Sequence, residues 1–541
     1  MTILAIDAGT SSIKAVAYHD GRQVGTGSVD TPVQRTGRYR EQDMMTTWKA
    51  TVAAARTALI TATAPVEGIV TTAQGDGCWL VDKALEPVGP AILWNDARAT
   101  GVVDTWRRDG TLDRASALTG SPTFPGLLNA VLAWLRERQP DRLAAASAAL
   151  TCNGWLFAKL TGALAVDESD ASAPFLDLTS RRYDERLIQL FGLDDLARLL
   201  PPVRPDEQRI EPLRGDAADE LGLPAGTPVV VAPYDVPATA IGAGALEPDQ
   251  ACCVLGTTLC ASMVLDAVPV PDQAAGFTLA ISPPGRYLRA FPTLTGVEAL
   301  SWAADLLGVS GPEELAALAS TARPASDDLL VLPYLSPAGE RAPFWAPAAR
   351  GAVFGLSFEH GRAELARGIF EGLALVVADC VQATGRRPDG IRLCGGGARS
   401  RLWCQLIADA TGVDVLRGTD REVGALGAAI FAEVALGRHR DLTTAGEALR
   451  GPVERLVPDR NRADRHRRLA EEWVRRRPLA STVFADGAET AGAQTAGAQS
   501  VGAGSVGAQS VDAQSVGAES VGAQTVGAES VVGAESGGGR G

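Results

Sequence analysis

The chain opens Ile3-Leu4-Ala5-Ile6-Asp7-Ala8-Gly9-Thr10-Ser11-Ser12-Ile13-Lys14-Ala15-Val16, and far downstream Cys253-Val254-Leu255-Gly256-Thr257-Thr258-Leu259 repeats its centre. Each copy is an apolar run, a Gly-Thr-Ser/Thr corner and a second apolar run. That is the pattern of a β-hairpin whose tight corner turns backbone N–H groups and small hydroxyls toward an anion. Two such hairpins in one chain imply two related halves gripping one polyphosphate, and the polyphosphate this predicts is ATP.

The remaining composition narrows the class. The 541 residues suffice for two or three domains with a sizeable core. An apolar fraction of 46 % with 21 % charged residues is that of a soluble globular protein. The net charge of −14 argues against nucleic acid or an anionic membrane as partner, because both demand a basic surface. No apolar run approaches the roughly 18 residues of a spanning helix, and Asp7 within the first apolar stretch is incompatible with a signal peptide. The expected location is cytoplasmic. Eight scattered cysteines without a Cys-x-x-Cys pair give neither a disulfide framework nor a zinc site. The four histidines, His19, His360, His439 and His466, have no metal-ligand spacing, which also disfavours a Ser-His-Asp triad.

The order of patterns is α/β. Strands are predicted over 3–6, 13–18 and 23–29, a helix over 45–62, a strand over 66–72 leading into Ala73-Gln74-Gly75-Asp76-Gly77, and a helix over 127–138. A Pro- and charge-rich loop covers 201–212. Strand 229–232 then runs into Pro233-Tyr234-Asp235. The second half repeats the plan: a hairpin over 252–265, helix 296–307, strand 328–332, helix 362–383, strand 390–394, a glycine loop, and helices 402–410, 424–436 and 459–477. Beyond about Ala485 the sequence becomes Val-Gly-Ala-Gln/Glu-Ser pentads such as Val506-Gly-Ala-Gln-Ser510. With almost no bulky side chain this tail cannot bury enough apolar area to offset the entropy of ordering, and disorder is expected; a stacked β structure is the alternative.

Particular residues carry the chemistry. Asp7 ends a buried strand at the corner where phosphate would sit, and a carboxylate there repels phosphate unless a cation lies between, so its natural role is to hold Mg²⁺. Thr10, Ser11 and Ser12 offer hydroxyls and N–H groups, Gly9 permits close backbone approach, and Lys14 can neutralise a phosphate oxygen. Gly256, Thr257 and Thr258 do the same in the second copy. Cys394-Gly395-Gly396-Gly397-Ala398-Arg399-Ser400-Arg401 places a flat glycine surface at a strand end, open to an adenine ring. It is neither a dinucleotide fingerprint nor a Walker loop, and a plain loop is its other reading. Asp235, following an apolar strand, reads either as a reactive carboxylate or as a helix N-cap.

Five stretches in order resemble the FGGY carbohydrate kinases of the actin/hexokinase/Hsp70-like ATPases: Asp7-Ala-Gly-Thr-Ser-Ser12; Trp94-Asn95-Asp96-Ala97-Arg98; Tyr234-Asp235 ahead of Gly242-Ala243-Gly244; Gly339-Glu340-Arg341-Ala342-Pro343 with Ala349-Arg350-Gly351-Ala352-Val353-Phe354-Gly355-Leu356; and Gly395-Gly396-Gly397-Ala398. The resemblance covers essentially 1–475. Two positions depart from the family signatures: Gly368 replaces the usual Ala or Ser, and Val131 replaces a lysine three residues before Trp134. The resemblance implies an α/β fold of two actin-like, ribonuclease H-like lobes around an active-site cleft. The lobes are expected over 1–246 (sugar and phosphate) and 247–478 (nucleotide), with 479–541 as the disordered tail.

It also implies roles. Asp235 is the general base that takes the proton of the attacking hydroxyl. Phosphates bind at Thr10, Ser11, Ser12, Thr257 and Gly296, and adenosine lies near Gly396, Gly397, Ala398 and Arg401. Gln74, Asp76, Trp94, Asp96, Tyr234 and Asp235 form the sugar site, with ATP and Mg²⁺ as cofactors, a small sugar or polyol as partner, and a homodimer as the assembly it allows. Gln74-Gly75-Asp76 occupies the place of Gln-Arg-Glu in glycerol kinases and Gln-Met-His in xylulokinases. Asp76 can accept two hydroxyl hydrogen bonds, Gly75 leaves room, and Val236 replaces a common Asn or Gln. Within the family these residues are most similar to erythritol and L-xylulose-type kinases. Trp94 and Trp155 can stack on a carbon skeleton or fill core. The alternative from another class is a sugar-sensing pseudokinase or a chaperone-like ATPase on the same scaffold.

Overall fold

The computed structural model of the chain describes residues 2–62, 64–269, 275–322 and 329–482. The pentads expected to be disordered lie outside the described residues.

Period-two alternation builds the first sheet from its central strand, Thr2–Ala8. Leu4, Ile6 and Ala8 point to one face, where Trp48, Ala54 and Ala58 of the helix Met44–Leu59 cover them. Ile3 and Ala5 point to the other face and meet Ala425, Ala429 and Ile430 of the helix Val423–Ala435. A strand buried on both sides is apolar throughout, and each fully buried Ile or Leu contributes about 1.5–3 kcal/mol. Across the sheet the order is Ile210–Pro212, Pro228–Val231, Val66–Ala73, Thr2–Ala8, Ser12–His19, Arg22–Asp30. Asp43 starts the covering helix by accepting the Thr46 N–H at 2.6 Å, and the helix stops at Leu59, short of the expected residue 62.

The second sheet repeats this plan. Its order is Phe277–Ile281, Arg286–Pro292, Leu259–Leu265, Gln250–Leu255, Gly390–Cys394, Val415–Gly418, Val453–Leu456. In both sheets the first strand is antiparallel to its hairpin partner, parallel to the next strand over, and followed by a further parallel strand and an antiparallel edge. The two corners correspond: Ala8 pairs with Ile13 and Leu255 with Leu259, leaving Gly9-Thr10-Ser11-Ser12 and Gly256-Thr257-Thr258 to turn the chain, so the first corner is one residue longer. The register puts Val254 where the first hairpin has Asp7, so only one copy carries the carboxylate.

Two helices cross where backbone touches backbone. A methyl group at Gly427 would lie 1.7 Å from the Ala238 carbonyl oxygen, and one at Gly242 would lie 2.0 Å from that of Val423. Only glycine permits this approach, which holds the helix Asp235–Ala243 against Val423–Ala435. The second half of the chain thereby completes the core of the first sheet.

Several expectations change in detail. The Pro-rich stretch 201–212 is mostly loop but ends in the edge strand Ile210–Pro212, where proline costs no ladder bond. The terminal helix starts later than expected, at Ala463. Among the described residues no helix is long and apolar enough to cross a membrane.

Candidate active site

Strand parity aims Asp7 along the face of Ile3 and Ala5, at the N-terminus of the Val423–Ala435 helix. A methyl group at Gly424 would lie 2.7 Å from Asp7 Oδ2. Asp235 arrives from the neighbouring strand Pro228–Val231 as the first residue of its helix. The N-cap of that helix is Tyr234, with no side-chain cap bond, so the capping reading of Asp235 does not hold. Asp76 follows the strand Val66–Ala73 in a left-handed turn, with φ 57° at Asp76 and 77° at Gly77. A non-glycine residue in that region is sparsely tolerated and sits here in a loop of the candidate site.

Asp235 feels the charges of the other two carboxylates. Burial raises Asp235 to about 8, the charges of Asp7 and Asp76 push in the same direction, and the Val236 N–H opposes them. Burial raises Asp76 to about 7 against the pull of Arg341. Asp7 rises to about 6, again by burial, with Lys14 opposing and Glu422 adding. A cluster of acids held up in pKa within a cleft marks a site prepared for proton transfer or cation binding.

The first corner is held rigidly. Thr10 Oγ1 donates to Gln74 Oε1 at 2.9 Å and accepts from Trp94 Nε1 at 2.9 Å, while Gln42 Nε2 donates to the Thr10 carbonyl at 2.7 Å and accepts through Oε1 from Gln74 Nε2 at 3.0 Å. Gln74 is 3 % exposed. Ser11 is exposed at the corner tip, and Ser12 begins the returning strand. Lys14 reaches Glu422 Oε2 at 2.8 Å, which ties the hairpin to the N-terminus of the helix facing Asp7.

Around the expected sugar site the side chains divide. The Tyr234 ring lies against Gly75, where a methyl group would come within 2.5 Å of Cδ2; the room left by glycine is filled by tyrosine. Asp96 is 2 % exposed, and its oxygens accept from Arg40 N at 2.6 Å and from Arg98 N, Nε and Nη2 at 2.8–2.9 Å. Arg98 continues to Glu41 at 2.7 Å and packs over Tyr39 and Trp134. Trp155 is completely buried and stacks on Trp79 at 5.3 Å, so it is core and no sugar platform. Trp94 stays partly exposed, with the Arg341 guanidinium 5.5 Å over its ring.

Sequence reasoning gave no role to Arg341, although it lies in the quoted Gly339–Pro343 stretch. It approaches from the second half, donates to the Pro292 carbonyl at 2.8 Å, and attracts Asp76. Cys260 joins the same cluster through Asp235 and Arg341, and burial pushes its thiol up to about 12. Neither could be found by local pattern, because their neighbours lie far away in sequence.

Thr257 and Thr258 are exposed at the second corner. Gly296 packs directly on it, since a methyl group there would meet Thr257 O at 2.5 Å, and Val297 N donates to Gly256 O at 2.9 Å. Glu340 fixes this arrangement by accepting from Leu294 N and Arg341 N, both at 2.8 Å. Beyond the corner a cavity of about 740 Å³ opens between Leu300, Gly311, Gly396, Gly397, Arg399 and Arg401. A methyl group at Gly396 would meet only Arg399 Nη2, at 4.0 Å, whereas Gly397 is buried against Trp403 and Leu255. Ala398 is buried in the core, and Arg401 is exposed and bound to Glu454 at 3.1 Å.

Residues 2–242 match the N-terminal domain of the FGGY family of carbohydrate kinases, and residues 251–436 match its C-terminal domain. The chain is 35 % identical to the erythritol kinase of Brucella abortus (strain 2308), over 86 % of this chain and 94 % of that one. It is 31 % identical to the xylulose kinase of Escherichia coli (strain K12), over 81 % and 91 %. The ligand-bound xylulose kinase structure from Lactobacillus acidophilus superposes with a TM-score of 0.84 at 23 % identity, over 90 % of this chain and 99 % of that one. With both halves matched and the two-lobed fold shared, the chain belongs to the FGGY family of carbohydrate kinases.

Proposed function

We propose that this phosphotransferase moves the γ-phosphoryl group of ATP to a terminal hydroxyl of a four- or five-carbon polyol or ketose, with erythritol as the leading acceptor. The observation that carries the reading is the clustering of Asp7 and Asp76 about Asp235, with Asp7 at the foot of one Gly-Thr corner and Cys260, in the hairpin of the other, within reach of Asp235. The likeness to an erythritol kinase and a xylulose kinase supports the substrate class. A sensor without turnover finds no support, because the named relatives are kinases.

In this mechanism Asp76 and Asp235 accept hydrogen bonds from the acceptor, and Trp94 with Arg341 limits the far end of a short carbon chain. Tyr234 closes the space above Gly75, which favours small, extended acceptors. Gln74 and Asp96 position the loops, because their polar atoms are committed to Thr10, Gln42, Arg40 and Arg98. As the acceptor oxygen bonds to the γ-phosphorus, the bridge to the β-phosphoryl group breaks, and Asp235 takes the hydroxyl proton. The exposed corner groups of Ser11, Thr257 and Thr258, with the backbone around Gly296, hold the phosphoryl oxygens. The glycine face at Gly396, beside Arg401, receives the adenosine.

Asp7 fits a divalent cation: its carboxylate stands at the foot of the phosphate corner and its charge bears on Asp235, so a doubly charged ion there would offset it. Mg²⁺ held by Asp7 would supply charge neutralisation at the phosphates. The test is ADP release measured with a panel of tetritols, pentitols, ketopentoses and glycerol. Turnover greatest with erythritol supports the proposal, and turnover confined to six-carbon acids or glycerol overturns the substrate class.

A further inference from the structure

The Asp235–Ala243 helix ends, about 12 Å along its axis from Asp235, at a cavity that the phosphoryl-transfer machinery does not use. This cavity of about 300 Å³ is lined by Gly242, Gly244, Arg392, Gly418, Asp420 and Arg450, among others. Two guanidinium groups converge in it. A methyl group at Gly244 would lie 2.5 Å from Arg450 Nη1 and 3.3 Å from Arg392 Nε.

No carboxylate bridges them. Arg450 donates through Nη1 to the Ile241 carbonyl at 3.2 Å, a usual service at a helix C-terminus. Among the described residues Arg392 has no ion pair and no side-chain hydrogen bond, and burial together with the Arg450 charge holds it below its ordinary pKa. Glu447 and Asp420 both attract Arg450, and Asp420, the acid in the lining, also accepts from Gly451 N at 3.0 Å through Oδ2; neither reaches Arg392. Helix capping accounts for Arg450 and leaves Arg392 unexplained. Like charges drawn together in a half-buried cavity are unfavourable unless an anion sits between them. Planar forks with several donors suit a tetrahedral oxyanion above all.

We propose that this cavity is a binding site for a phosphate dianion, either the free ion or the ester end of a small phosphorylated metabolite, clasped between Arg392 and Arg450. Its rim leads from Asp420 to Glu422, the partner of Lys14, and to the helix whose N-terminus faces Asp7. Occupancy therefore bears on the loop that positions the catalytic cleft.

The test is calorimetric titration of inorganic phosphate and, separately, glycerol 3-phosphate into the full chain saturated with a non-hydrolysable ATP analogue, which keeps the nucleotide cleft filled. One-to-one binding is expected, weakened about tenfold or more in Arg392→Gln and Arg450→Gln. Should either fold poorly, Gly418→Glu serves: open space surrounds that position, and the new carboxylate competes for the arginines. Tighter binding of the ester assigns the metabolite as ligand; tighter binding of inorganic phosphate assigns the free ion. Absence of saturable heat, or an affinity unchanged in all folded variants, overturns the proposal.

Discussion

Gly424 faces the Asp7 carboxylate so closely that a methyl group there would lie 2.7 Å from Oδ2 and 3.5 Å from the Thr239 hydroxyl. Alternation along Thr2–Ala8 aims Asp7 at this point, where the Val423–Ala435 helix, whose start is its positive end, begins. Gly424→Ala displaces the carboxylate without removing it. The expected result is a rise of about tenfold in KM for MgATP with the KM for the sugar unchanged, since small displacements at reacting groups are costly. Steady-state kinetics with each substrate varied in turn check this.

The three acids set the pH response. Asp7, Asp76 and Asp235 rise to about 6, 7 and 8, each mainly by burial, and the charges of the first two add to the rise of Asp235. As the proposed general base, Asp235 works only when deprotonated, so kcat/KM is expected to rise with pH up to about 8. Stability runs the other way. The folded protein holds the Asp235 proton above its unfolded value of 3.8, so stability is full below that value and is lost as pH rises toward about 8. Asp235→Asn removes this loss, and its melting temperature at pH 8 should exceed that of the unmodified chain by about 2 °C or more. Thermal unfolding at pH 5 and pH 8 shows the difference growing with pH.

Gly75 and Tyr234 make a steric pair. With 2.5 Å between a methyl group at Gly75 and the Tyr234 ring, Gly75→Ala must push the ring away from its place beside Asp235. The expected cost is about 1–3 kcal/mol of stability and a higher KM for the polyol. Chemical denaturation and polyol saturation curves measure the two effects.

Lys14 and Glu422 form a partly exposed ion pair at 2.8 Å, worth at most about 1 kcal/mol by itself. Glu422→Gln should therefore hardly move the melting temperature while releasing Lys14 toward phosphate. Lys14→Met should raise the KM for ATP about tenfold, whereas Glu422→Gln leaves it unchanged or lowers it. Equal increases in both variants would show that the pair only positions the helix.

What could be read in the sequence was local. The alternation around Asp7 and the Gly-Thr corners placed both hairpins nearly to the residue, and the apolar run before Asp235 placed it at a strand-to-helix junction. The strand Arg286–Pro292 was not legible because Arg289, 3 % exposed, interrupts its apolar pattern; its guanidinium serves the carbonyls of Gly120, Ala275 and Gly276. Asp96, expected in the sugar site, has its oxygens taken up by four donors from Arg40 and Arg98, which come from separate positions and leave no mark in the local sequence. Arg341 over Trp94 and Glu422 on Lys14 join residues hundreds of positions apart, and no local periodicity records such a meeting.

The central claim is that Asp235 removes the acceptor's proton, and ADP release with erythritol as the variable substrate tests it most directly. Turnover in Asp235→Asn should fall about a thousandfold or more, with nucleotide affinity retained. Erythritol-dependent turnover undiminished in that variant would contradict the account.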